Sequence, residues 1–218
     1  MVDLRDNSGR PRVPLSEQAL EDVRFLRAAV ESNIRVTALS PGGLLVAGIA
    51  GLGAAGASVV LPAERPAFAW GPTPVSIFLA IWLGALLLSM VAGLTGMRLR
   101  SQRQGEQFRS TALRRMLLSM TAPLAAGGVV TLWALWQAQP PWVLATVWTG
   151  FYGLTLVSAA AYTIGAVRVF GWSVLALAAG LLAAGPGAGM GWVASALGLA
   201  FGAGHLLLAV HVGGRYGW

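Results

Sequence analysis

PVSIFLAIWLGALLLSMVAGLTG, residues 74–96, contains no charged side chain from end to end. As an α-helix rising about 1.5 Å per residue it would be roughly 35 Å long, enough to cross the ~30 Å hydrocarbon core of a bilayer. A surface helix of a water-soluble domain needs a polar face, and this stretch has none. Five more stretches of the same kind lie near 43–62, 116–136, 142–163, 169–185 and 192–213. Inside lipid every backbone N–H and C=O must be satisfied within the protein, and an α-helix does this segment by segment. The expected fold is therefore all-α: a polytopic membrane protein of six transmembrane helices, arranged as three hairpins. A cytoplasmic arm over 1–41 precedes the membrane domain over 42–218.

Composition agrees with lipid as the medium. Hydrophobic residues make up 56% of the chain and charged residues 11%, where a soluble domain carries about a quarter charged. Mean hydropathy is +0.68. All fifteen basic residues are Arg, so Schiff-base chemistry and a retinal chromophore are excluded. Cysteine is absent, which excludes disulfides, thiolate catalysis, Cys-ligated zinc, iron–sulfur clusters and c-type haem attachment. The isoelectric point near 11.4 comes from Arg residues flanking the apolar stretches, where they meet anionic lipid; it does not indicate nucleic-acid binding.

The arginines also predict orientation. Arg5, Arg10, Arg12, Arg24, Arg27 and Arg35 lie in the arm. Arg98, Arg100, Arg103, Arg109, Arg114 and Arg115 lie between the second and third spans, and Arg168 and Arg215 fall on the same side. Only Arg65 lies opposite. Such a bias places that side, and both termini, in the cytoplasm. Trp70, Trp136, Trp142 and Trp192 mark the outer rim as an aromatic belt. The polar start, with Asp3, Asp6, Glu17, Glu21, Asp22 and Glu31, is unlike a cleavable leader, so the first span is expected to act as an uncleaved anchor.

Within the arm, Ser16 can cap a helix whose first turn carries Glu17. Ala19, Val23, Leu26, Val30, Ile34 and Thr37 recur at helical spacing, predicting an amphipathic helix over 16–38 at the cytoplasmic interface. Ser40-Pro41-Gly42-Gly43 is expected to break that helix before the first span.

Glycine is frequent, at 29 residues, and much of it is mid-span. Ala47, Gly51 and Ala55 form a small-residue stripe in the first span. Ala194, Gly198, Gly202 and Ala209 form another in the sixth, where Gly198 and Gly202 make a GxxxG pair. Small faces let helix backbones approach closely in lipid. They serve packing within the bundle, or a homo-oligomer through the sixth span. Pro123 in the third span removes a backbone hydrogen bond to Ser119, so a kink is expected there.

No Asp, Glu or Lys falls in any span. Proton- and ion-coupled carriers usually keep an acid near mid-membrane, so such coupling is disfavoured. The two histidines, His205 and His211, lie on the sixth span about 120° apart around the axis and ~9 Å apart along it, a poor spacing for one metal ion. His205 shares the stripe of Gly198 and Gly202 and should face the bundle. On the fourth span Trp148, Tyr152, Thr155 and Tyr162 follow one helical stripe, flanked by Thr146, Thr149 and Ser158. A stripe of this polarity must face protein or a cavity. It serves interhelical hydrogen bonding, or it walls a pocket made of Tyr152, Thr155, Ser158, Tyr162 and His205.

Ser158 and His205 occupy the helices that carry the catalytic pair in rhomboid-type intramembrane proteases. Ser158 lacks the Gly-x-Ser-Gly setting, however, and no Asn or Gln within a span could donate to an oxyanion. An enzyme is therefore not expected, nor is a metal or cofactor.

Three segments, Arg24-Phe25-Leu26-Arg27-x3-Glu31 leading into Ser40-Pro41-Gly42, the Ala122-Pro123 step, and Gly198-x3-Gly202-x-Gly204-His205 followed by Arg215-Tyr216-Gly217, together resemble a group of bacterial six-span proteins. The resemblance implies a multi-pass inner-membrane protein of unknown activity and supplies no catalytic residues. The leading expectation is an inner-membrane protein that binds or passes a neutral or lipophilic solute, with membrane lipids as its neighbours. The alternative is a sensory or scaffolding subunit that binds a cytoplasmic protein through its basic surface.

Overall fold

The computed structural model describes residues 19–26, 39–60, 72–103, 111–187 and 189–218. It is all-helical, with no strand among the described residues. The chain divides into two units, Met1–Ile34 and Arg35–Trp218. In the first unit residues 19–26 form helix α1. The rest of the amphipathic helix expected over 16–38, with its cap at Ser16, lies outside the described residues.

The second unit holds six helices long and apolar enough to cross a membrane. They are α2 (Pro41–Val60), α3 (Pro72–Arg103), α4 (Thr111–Trp136), α5 (Pro141–Ala159), α6 (Gly165–Ala184) and a composite sixth. The sixth runs through α7 (Met190–Leu197), a π-helical segment (Gly198–Ala203) and α8 (Gly204–Tyr216).

Local chemistry explains several boundaries that differ from the sequence reading. Ser40-Pro41, expected to break the arm's helix, starts α2. The Ser40 hydroxyl accepts from the Gly43 N–H at 3.2 Å, and its carbonyl accepts from Leu44 at 3.0 Å. Ser is a favoured N-cap, and proline at the next position loses no bond that a helix start would have made. α5 likewise carries a proline, Pro141, at its first position, but its N-cap Pro140 offers no side-chain bond and only its carbonyl accepts, from Val143 at 3.0 Å. That helix ends at Ala159, earlier than expected, and Tyr162 lies in the turn beyond it, its N–H bonded to the Ala159 carbonyl at 2.9 Å. The fifth span, expected over 169–185, starts earlier: α6 begins at Gly165 and has 20 residues, with Arg168 in its first turn. A long Arg stem near a helix end can carry its charge toward water. Pro123 lies inside α4, which continues through it.

Packing follows the small residues. α2 pairs with α3, and α4 with α5. The fifth and sixth spans, expected as a third hairpin, touch only sparsely; α6 packs instead on α5, and the sixth span on α2. Gly153 of α5 faces Gly171 and Leu175 of α6, and a Cβ at either glycine would collide with the other helix. At Gly51 a Cβ would overlap the Phe201 carbonyl, so the bare glycine lets α2 lie against the π segment. Gly202 rests on Leu52 and Gly198 on Ala55, while Ala47 is buried on the same face of α2. The GxxxG face of the sixth span is thus used within the chain, and a second copy docking there would compete with α2.

The core sits where the sixth span, α2, α5 and α6 converge. One cluster joins Ala54, Phe78, Trp82, Ala145, Leu181, Val193 and Leu197; another joins Leu156, Val167, Val174, Ala200, Leu208 and Val212. α3 and α4 are the least buried of the long helices and expose Leu83, Leu87, Val91, Val129, Leu132 and Trp133.

Candidate functional site, a Tyr–His centre framed by aromatic rings

The π segment sets the position of His205. Across its end the Gly204 N–H bonds to the Leu199 carbonyl five residues back, one residue further than in an α-helix. His205 follows immediately. Its Nδ1 lies 3.1 Å from the Phe201 carbonyl oxygen. A carbonyl can only accept, so Nδ1 carries the proton and Nε2 presents a lone pair. The Tyr152 hydroxyl of α5 lies 2.6 Å from Nε2 and is therefore the donor in that bond. Both imidazole nitrogens are engaged, and in this arrangement His205 offers no lone pair to a metal ion.

Aromatic rings surround the pair. The Tyr152 ring packs on Phe201 with centroids 4.8 Å apart and on His205 at 5.6 Å, and it meets the edge of Phe170 at 6.3 Å. Phe170 also meets His205 edge-on at 5.5 Å. This contact needs Gly204, because a Cβ there would fall on the Phe170 ring. The series extends from Phe201 to Trp82 at 5.9 Å, then to Phe78 at 6.3 Å and Trp148 at 5.6 Å. Four helices and the π segment are tied together by ring contacts.

Each indole in the series has a hydroxyl partner from another helix. Trp82 Nε1–H donates to Ser58 at 3.0 Å, and Ser58 donates to the Ala54 carbonyl. Trp148 Nε1–H donates to Thr131 at 3.1 Å, and Thr131 donates to the Gly127 carbonyl. An indole N–H buried without a partner is costly, so these two hydroxyls hold the rings in register.

The candidate residues are divided by this geometry. Tyr152 and His205 come together. Thr155 is fully buried and donates to the Phe151 carbonyl of its own helix. Ser158 is half-buried, and among the described residues no hydrogen bond joins it to His205. Tyr162 packs beside Leu113, Met116 and Ala159, apart from the pair. His211 is exposed. Phe170, Phe201, Phe78 and Trp82 escaped the sequence reading. Phe201 could have been found as the residue four before His205, the usual reach of a side chain back to a helix carbonyl. The other three carry no comparable local signal.

Two features lie elsewhere. An apolar hollow of about 260 Å³ opens between α2 and α3, lined by Ala50, Gly53, Ala57, Ile81, Gly84 and Leu88 among others. At the Arg-rich end, Arg100 donates to the carbonyls of Gly217 at 3.0 Å and Tyr216 at 2.8 Å, fastening the end of the sixth span to α3. Comparison of the chain with protein-family models, with curated proteins and with solved structures finds no match.

Proposed function

We propose that the chain is an integral inner-membrane protein, its Arg-rich side cytoplasmic, that binds a neutral or lipophilic solute at the Tyr152–His205 centre. One observation carries this reading. A Tyr152–His205 hydrogen bond joins α5 to the sixth span just after its π segment, flanked by Phe170 and Phe201, and all four residues are half-buried. Intramembrane polar groups and π segments are both enriched at functional positions. The absence of Asp, Glu and Lys from the expected spans favours an uncharged ligand. The apolar outer faces of α3 and α4 suit a lipid surround.

The test is isolation of the protein in native-membrane nanodiscs, followed by solvent extraction and mass spectrometry. A small molecule should accompany the wild type and be depleted from His205→Leu, while Leu87→Ala retains it. Identical extracts from all three contradict the reading. Orientation is tested by single-cysteine labelling, since the chain has no native cysteine. Gln102→Cys should react only after the membrane is permeabilised, and Gln137→Cys in intact cells.

A second reading, a sensory or scaffolding subunit, draws on the exposed Arg98, Arg103, Arg114 and Arg115. It requires a cytoplasmic protein whose capture is lost when these four are changed to Gln together.

A further inference from the structure

We infer that the solute taken at this centre is a hydrogen-bond donor, a lipophilic alcohol or phenol, in preference to the corresponding ether or ketone. The inference rests on the proposed solute site and adds the chemical class. It follows from counting donors and acceptors around two nitrogens and one oxygen.

The Phe201 carbonyl fixes the proton on Nδ1 of His205. Nε2 is then an acceptor, and the Tyr152 hydroxyl spends its one proton on it across 2.6 Å. A phenol oxygen has one donor and two acceptor positions. Among the described residues, no donor approaches the Tyr152 oxygen. What the pair can still offer a ligand is therefore acceptance alone. A ketone or ether oxygen brought to this point would face lone pairs with no proton between them. A hydroxyl would complete a relay in which ligand O–H donates to Tyr152, Tyr152 to His205, and His205 to Phe201.

Protonating the imidazole would break this logic, but it would place a net charge among apolar rings with no carboxylate in the expected spans to balance it. The rings also restrict approach. Phe201 and His205 pack on the Tyr152 ring, so a donor must reach its oxygen near the phenol plane. The seam of α6 with the sixth span, where Phe170 meets His205 and both residues are half-buried, is the side from which a ligand would approach. Val169 and Leu207, 68% and 73% exposed, give that side an apolar surface. The ligand therefore combines an apolar body with a hydroxyl head.

The experiment uses three probes of matched size: 4-decylphenol, its methyl ether, and the corresponding aryl methyl ketone. Full-length protein in detergent, labelled with ¹⁵N-histidine, is titrated with each, and the His205 imidazole shifts are read against His211 as an internal reference. The phenol should bind about tenfold more tightly than the other two, the scale of one buried hydrogen bond, and should move the His205 signals. In Tyr152→Phe, which keeps the ring, the Nε2 lone pair of His205 is left open, so the phenol should donate to it directly and move the Nε2 signal further than in the wild type. Equal affinity of all three probes, with His205 moving, overturns the donor preference and leaves the solute site standing. Failure of every probe to move His205 overturns both. An Nε2 shift by the phenol that is the same in Tyr152→Phe as in the wild type overturns the assignment to Tyr152. Should that variant not fold, the wild-type comparison of the three probes still decides the preference.

Discussion

Gly51→Ala is the smallest change that strikes the seam between α2 and the sixth span. A Cβ on residue 51 would lie 2.8 Å from the Gly202 nitrogen, where ordinary contact begins at 3.4 Å, and closer still to the Phe201 carbonyl. These are backbone atoms, so no rotamer change can relieve the overlap, and the two helices must part. Overpacking of this kind typically costs about 1–3 kcal/mol. A gap of about 0.5–1 Å also forfeits a quarter to a half of the dispersion attraction between the atoms it separates. Against this, alanine is favoured over glycine in a helix by about 1 kcal/mol. The expected net loss is about 0–2 kcal/mol, which is about 1–3 kcal/mol below a glycine-to-alanine change that meets no obstruction. Gly53→Ala is the control. It lies on the same helix with nothing within 4 Å of its Cβ, so it should be neutral or slightly stabilising. Reversible unfolding in mixed micelles, followed by tryptophan fluorescence, measures both. A Gly51→Ala protein as stable as Gly53→Ala would refute the close approach of α2 to the π segment.

Tyr152→Phe leaves the His205 Nε2 acceptor without its donor and should destabilise the bundle by about 1–3 kcal/mol. A double-mutant cycle with His205→Ala should give clear coupling, and additivity within about 0.3 kcal/mol would deny the bond. Trp82→Phe removes the indole donor to Ser58 and should cost about 0.5–1.5 kcal/mol in the same unfolding assay; equal stability would remove that bond from the account. Arg100→Gln should free the Tyr216 and Gly217 carbonyls, seen as faster amide exchange at the end of α8 without loss of the six-helix core. Unchanged exchange there would mean that Arg100 holds nothing in place.

The six long helices were legible because apolar length is a property of one segment at a time. Residues 74–96 needed no knowledge of their neighbours to be read as helix. Ends were harder, because they rest on a few local bonds. Ser40-Pro41 reads equally as a stop and as a start, and only the Gly43 and Leu44 amides turning back to Ser40 decide it. Residues 169–185 understate the fifth span, because a helix's terminal turn tolerates an arginine such as Arg168. The π segment was invisible: Gly198 to Ala203 carries no residue that demands a five-residue register.

The site was legible in part for the same reason. Helical spacing alone puts Tyr152 on an inward stripe and His205 beside the small residues of the sixth span, so both are legible without their contact. The same stripe included Tyr162, which leaves the helix because α5 ends at Ala159. The pairings of Trp82 with Ser58 and of Trp148 with Thr131 join separate helices, and no period within one segment encodes them. Small-residue stripes on the first and sixth spans were visible, but their mutual fit depends on backbone separation.

The ¹⁵N spectrum of His205 in lipid bilayers tests the Tyr–His centre most directly. The account predicts a neutral imidazole protonated at Nδ1, with an Nε2 signal shifted by the Tyr152 hydroxyl and displaced in Tyr152→Phe. An imidazole protonated at Nε2, or one whose signals ignore the loss of the Tyr152 hydroxyl, would contradict it.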